Sequence, residues 1–177
     1  MIRHGFRVSL AMLSWVPVVA TINQSVAYFT WVEGGSMKPS LNPDSSLHWR
    51  DLVFLWKFRQ KEPGALKVGD VVVLRSPEQP DKILVKRILG VGGDKVLRRG
   101  DGPYPRPTCH VPTNHLWVEG DNIHSIDSNN FGPVSVGLVI GRATRILFPP
   151  SRFGPIPDGG REARIAIIRA SKPDSAV

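Results

Sequence analysis

No charged side chain interrupts the chain over residues 8–29 (VSLAMLSWVPVVATINQSVAYF), and no later run is as long. A helix needs roughly 20 mainly apolar residues to cross the hydrocarbon core of a bilayer, so this segment is just long enough. Three readings compete for it. A cleaved secretory signal fits Arg3, His4 and Arg7 ahead of the run, but the WVEGGS that follows is not a typical small-residue cleavage site. A buried core helix fits the dilution by Pro17, Asn23 and Gln24. A retained single anchor fits best, because basic residues before the span hold the N-terminus on the cytoplasmic or matrix side and place everything after Thr30 across the membrane. Trp31 then suits an interfacial aromatic, although a lone tryptophan is more often a simple core residue.

Past Trp31 the pattern becomes strand, turn, strand. Short apolar or β-branched runs at 52–58 (LVFLWKF), 71–74 (VVVL), 83–89 (ILVKRIL), 116–118 and 143–148 predict strands. Turn chemistry separates them at Asn42-Pro43, Pro63-Gly64, Ser76-Pro77, Gly92-Gly93-Asp94, Gly100-Asp101-Gly102-Pro103 and Phe131-Gly132-Pro133. No helical period longer than two turns follows the anchor, and no internal repeat is present. Pro149-Pro150 predicts the end of the folded domain, leaving a tail whose apolar patch at 165–168 is either a final strand or a partner contact. The expected fold class is mainly β with an antiparallel sheet. The expected division is 1–30 for the basic segment and transmembrane anchor, 31–150 for the β-rich domain and 151–177 for the tail.

Composition narrows this further. At 177 residues the chain can bury one ordinary core and is too short for a two-domain, doubly wound nucleotide enzyme. A lone cysteine, Cys109, excludes an internal disulfide and a Cys-rich zinc site. With 16 Pro and 17 Gly and no G-X-Y period, short strands and turns are favoured over a helical bundle. The formal charge of +8 admits nucleic acid, an acidic membrane surface or an acidic substrate. The basic residues are scattered and not interleaved with aromatics, which argues against nucleic acid.

Candidate chemistry begins directly after the anchor, in Val32-Glu33-Gly34-Gly35-Ser36-Met37-Lys38-Pro39-Ser40-Leu41. Two glycines before a serine leave the Ser36 N–H and Oγ approachable, as a nucleophile with an oxyanion-binding amide requires; a purely structural turn has the same composition. The segment is neither Ser-x-x-Lys nor G-x-S-x-G, since Pro39 and Lys38 stand at the deciding positions. A serine also needs a base. Lys86 interrupts an apolar strand on the face of Leu84 and Ile88, opposite Val85 and Arg87. If that face is core, the ammonium is desolvated and a neutral amine becomes available; if it is an edge, Lys86 is a solvent-facing guard against aggregation. A third cluster, 119–133 (EGDNIHSIDSNNFGP), reads as a self-bonded polar loop. Alternatively His124 with Asp121 or Asp127 completes a Ser-His-Asp triad with Ser36. His110, His115, His124 and Asp121 follow no recognised metal-ligand spacing, and neither a metal nor a cofactor is expected.

Together these segments resemble the type I signal peptidase family, and within it the mitochondrial inner membrane branch, subunit 2 more than subunit 1. Gly35-Ser36-Met37-Lys38-Pro39 resembles the nucleophile box, Val68-Gly69-Asp70-Val71-Val72 the Gly-Asp strand box, and Lys86-Arg87-Ile88-Leu89-Gly90 with Gly93-Asp94 the general-base box. Val118-Glu119-Gly120-Asp121, Ser125, Asp127-Ser128 and Phe131-Gly132-Pro133-Val134 resemble the last box. The resemblance implies a signal peptidase-type β domain and a membrane-anchored serine endopeptidase that removes sorting presequences. Ser36 would be nucleophile and Lys86 general base, Ser125 would hold the lysine, and Asp127 would be structural, paired with Arg87. His124 then loses its catalytic claim. The implied partners are presequence-bearing proteins and a sister protease subunit, and the implied location is the mitochondrial inner membrane with the catalytic domain facing the intermembrane space. Two departures stand out. Gly34 replaces a hydroxyl residue that bacterial relatives often use as a second oxyanion donor, and Asn129 replaces an arginine that many relatives carry two residues after the aspartate. The alternatives are a bacterial or chloroplast signal peptidase, or a non-catalytic membrane-tethered partner subunit.

Overall fold

The computed structural model describes residues 14–15, 26–43, 50–60, 62, 64–99, 108–159 and 167–168. Most of the expected anchor therefore lies outside the described residues, and among those described no helix is long and apolar enough to cross a membrane. The strands are β1 (Ala27–Trp31), β2 (Leu52–Trp56), β3 (Val71–Arg75), β4 (Ile83–Val91), β5 (Lys95–Leu97), β6 (Thr108–His110), β7 (His115–Glu119), β8 (Val134–Ser135), β9 (Val139–Phe148), β10 (Gly154–Pro155) and β11 (Ile167–Ile168). One short helix, α1 (Ser128–Phe131), precedes β8. The main sheet runs β1-β2-β9-β3-β4-β7-β8, with β10 on β9, and β11-β5-β6 form a smaller one. Every pair is antiparallel, as the mainly β expectation has it.

Core packing explains which runs were legible. Val71 and Val73 join Val53, Leu55 and Ile146 on one side of the sheet, while Val72 and Leu74 join Ile88, Val118 and Val139 on the other. A strand buried on both faces reads as a continuous apolar run, as VVVL does. β4 pairs β3 with Val72 opposite Lys86, and Leu84 and Ile88 on the Lys86 face both pack into the second cluster. Of the two alternatives for this face, core and edge, the core is realised.

Three strands separate β1 from β4 in the sheet order, yet Tyr28 to Trp31 and Lys82 to Lys86 line one groove. The sheet therefore curls, bringing its first edge to the start of β4. β7 pairs β4 only from Arg87 onward, so among the described residues the 83–86 stretch keeps one edge unpaired along that groove.

Packing continues past Pro149-Pro150. β10 pairs β9 at Gly154 and Ile146, and the Pro157 carbonyl accepts a 2.8 Å bond from Arg87. Gly159 lies against Asp121 so closely that a Cβ there would collide with the carboxylate. A proline pair interrupts local hydrogen bonding and says nothing about what the chain meets afterwards. Of the two readings for the apolar tail patch, the strand is realised: Ile167 pairs Val96 of β5.

Candidate active site

Ser36 stands on a turn that the core holds from below. Its neighbours Met37 and Leu41 are fully buried among Val32, Val53 and Leu55, which leaves Ser36 itself lining the groove. The turn is closed by Asn42, a residue with φ 50°. Asn42 Nδ2 donates to the Val32 carbonyl at 2.7 Å and the Gly34 carbonyl at 3.3 Å, and its Oδ1 accepts the Asp51 N–H at 2.8 Å. The Asn42 N–H in turn donates to Asp51 Oδ2 at 2.8 Å. Three side-chain bonds of roughly 1 kcal/mol each are at stake, so Asn42→Ala is expected to lower unfolding free energy by about 2–4 kcal/mol, read by chemical denaturation. Gly34 has φ +79°, a conformation that side-chain-bearing residues rarely adopt, which accounts for a glycine at this position.

Lys86 is 2% exposed and among the largest fully buried side chains, yet it lines the same groove as Ser36. Its Nζ donates to Ser125 Oγ at 2.5 Å. Ser125 arrives on the loop after β7, and Gly120 at the root of that loop makes the approach possible. A Cβ at Gly120 would collide with both Ser125 Oγ and the Ser36 carbonyl, so the absence of a side chain lets the serine turn and the loop close on each other. Asn122 ties them together, donating from its N–H to the Ser36 carbonyl and from Nδ2 to the Gly35 carbonyl, both at 3.0 Å.

Asp127 is fully buried and caps α1, accepting bonds from the Gly120 and Asn129 N–H groups and from Asn129 Nδ2. Its ionic partner corrects the expectation. Arg99 and not Arg87 bonds Asp127 at 2.8 Å, and the same guanidinium holds Glu119 and the Ile123 carbonyl. Arg87 pairs bidentately with Asp121 at 3.0 and 2.8 Å. Strand alternation turns Arg87 away from the Lys86 face, toward Gly69 and Ser40, whereas the cap of α1 opens toward the segment leaving β5. The arginine absent at position 129 is thus replaced by one reaching in from position 99, whose N–H also donates to Asn129 Oδ1 at 3.0 Å.

The sequence profile of the signal peptidase family, peptidase S26, matches residues 6–104, more than half of the chain. The chain belongs to the signal peptidase family. It is 47% identical over 153 residues to mitochondrial inner membrane protease subunit 2 of Saccharomyces cerevisiae, covering 86% of this chain and 85% of the relative. Against subunit 2 of Schizosaccharomyces pombe the figures are 46% over 156 residues, 88% and 83%. Subunit 1 of Mus musculus is more distant, 32% identical over 139 residues, with coverages of 78% and 83%.

In this signal peptidase the other candidate nucleophile systems are disfavoured by their surroundings. His124 lines the groove, but Asp121 is committed to Arg87 and Asp127 to Arg99 and the cap of α1, so neither carboxylate is available to orient an imidazole. Burial pushes the Cys109 thiol up from its ordinary value, against a smaller lowering by Arg98, which makes the reactive thiolate scarcer. Among the described residues no cluster of three metal-ligating side chains forms. Reading the sequence missed Asn42, Arg99 and Asn122 as site-building residues. The polar loop signalled that Asn122 would bond locally, but its partners lie some 87 residues earlier in the chain.

Proposed function

We propose that Ser36 is the nucleophile and Lys86 the general base of this signal peptidase, a serine endopeptidase of the mitochondrial inner membrane that processes presequences. The observation that carries the assignment is a lysine buried in the groove of an approachable serine, its Nζ held by Ser125 Oγ. Burial disfavours an ammonium, so Lys86 is poised as a neutral amine. It takes the Ser36 proton as Oγ attacks the scissile carbonyl, and the Ser36 N–H donates to the oxyanion. Lys86 then gives its proton to the leaving amine, and water, deprotonated in turn by the regenerated neutral Lys86, clears the acyl-enzyme. Ser125 is the positioning partner of Lys86, and Asp127 the structural residue that keeps the Ser125 loop in place.

The groove suits an extended substrate. Val32 donates to the Asp51 carbonyl and the Val32 and Gly34 carbonyls face Asn42, so alternation turns the Glu33 main chain to the groove, opposite the unpaired 83–86 edge of β4. A presequence strand inserted there would pair with both walls. The 1–30 segment is proposed as the anchor that holds this groove beside the membrane, with the catalytic domain in the intermembrane space, and the likeness to protease subunits supports a sister subunit as partner.

The test is turnover of a model sorting-signal peptide by the purified full chain in detergent, followed against pH. A lysine base works only when neutral, so kcat/KM should fall as pH drops through the lysine's titration and level off above it. The imidazole of His124 is removed by His124→Gln, which should keep the same profile. A profile that flattens in that variant would move the base to His124, and no turnover by the purified chain would favour a non-catalytic partner subunit.

A further inference from the structure

We infer that Asn122 is a positioning residue that aims the oxyanion-binding amide of Ser36, an inference that rests on Ser36 being the nucleophile. Both peptide groups flanking the Ser36 Cα are held by this one residue. The Gly35 carbonyl accepts from Asn122 Nδ2 and the Ser36 carbonyl from the Asn122 N–H, each at 3.0 Å. The Gly35–Ser36 peptide is planar and trans, so its N–H points opposite to its C=O. Fixing the carbonyl therefore fixes the direction of the Ser36 N–H, the group that must meet charge as it develops on the scissile oxygen. Holding the second carbonyl fixes the other backbone torsion of Ser36.

The orientation of the Asn122 amide is itself determined. Oδ1 accepts the His124 N–H at 3.0 Å, so a flipped amide would set donor against donor there and acceptor against carbonyl at Gly35. The Asn122 carbonyl accepts the Ser125 N–H at 3.2 Å, which makes the same turn present Ser125 to Lys86. A hydrogen bond at the Gly35 oxygen also polarises the peptide and strengthens its N–H as a donor. Lys38 N–H adds a weaker bond to that oxygen at 3.2 Å, which comes from within the turn and cannot tie it to the loop. With Gly34 offering no side-chain hydroxyl, the reaction leans more heavily on this amide.

Asn122→Asp keeps the acceptor for His124 and the side-chain volume while putting a carboxylate oxygen against the Gly35 carbonyl; Asn122→Ala removes the side-chain contacts to Gly35 and His124 and keeps the backbone N–H on the Ser36 carbonyl. Misaiming an oxyanion donor costs less than deleting one, which is worth about 10²–10³-fold, so kcat is expected to fall about 10- to 100-fold in both variants with KM within about twofold. The readout specific to the oxyanion is a peptide aldehyde, to whose carbonyl carbon Ser36 Oγ adds reversibly, leaving the former carbonyl oxygen at the amide. Its inhibition constant should rise by the same factor as kcat falls, while binding of the intact peptide is unchanged. These are affinities, independent of how much of each preparation is folded. Wild-type kcat in both variants would overturn the proposal, as would a lowered kcat with an unchanged ratio of aldehyde to peptide affinity. Ser36→Ala is measured alongside: cleavage by that variant would sink the nucleophile assignment itself, whereas an inactive Ser36→Ala with wild-type-like Asn122 variants sinks only the role of Asn122.

Discussion

Lys86→Met is expected to abolish presequence cleavage, lowering kcat by on the order of 10⁴-fold or more, and to leave the protein folded. Methionine is the informative choice because Lys86 fills a buried slot, and truncation to alanine would open a cavity and confuse lost chemistry with lost packing. The thioether reproduces most of the stem and removes only the amine. Ser36→Ala should cost as much, and the double variant no more than either single one, since nucleophile and base act as a unit. Kinetics on a model sorting signal together with circular dichroism of the purified variants decide the matter. Cleavage at even a tenth of the wild-type rate by folded Lys86→Met would require another base.

Asp121→Ala is expected to produce the largest loss of stability, about 3–5 kcal/mol, because it leaves the buried Arg87 guanidinium without its counter-charge. Both side chains of this pair are nearly inaccessible, at 8% and 1% exposure. Exposed pairs such as Arg59 with Glu62 should be worth well under about 1 kcal/mol when broken. Adding Arg87→Met to Asp121→Ala removes the orphaned charge and should recover part of the loss, though the Gly69 and Pro157 carbonyls then lose a donor. Denaturant unfolding of the two single variants and the double variant forms the cycle. Costs that simply add would mean that the pair is not coupled.

The five strand runs read from the apolar pattern all occur, because each is an apolar or β-branched run set off by turn residues. β1 was hidden inside the uncharged run that reads as anchor: Ala27 to Thr30 are as apolar as what precedes them, and pairing with β2 shows where the sheet begins. β5, β6, β8 and β10 are two or three residues long and owe their state to a neighbouring strand, so no local period announces them. The contacts past Pro149-Pro150 have no local signal for a related reason, since what retains 154–159 is β9 and the Arg87–Asp121 pair.

By itself the sequence determined the chemistry on offer: a serine behind two glycines, a lysine on the apolar face of a strand, and a loop of short polar side chains in the order found in signal peptidases. Those are local properties, carried by residue type and by the two-residue period of a strand. Only the tertiary structure decided who meets whom. It buried Lys86 and gave it Ser125, assigned Arg87 to Asp121 and Arg99 to Asp127, and let Gly120 and Asn122 join the polar loop to the Ser36 turn. The physical reason is that ion pairs and side-chain hydrogen bonds act over a few ångströms in space. Partners such as Asn122 and Gly35 lie 87 residues apart along the chain, and only the folded sheet and its loops bring them within bonding distance.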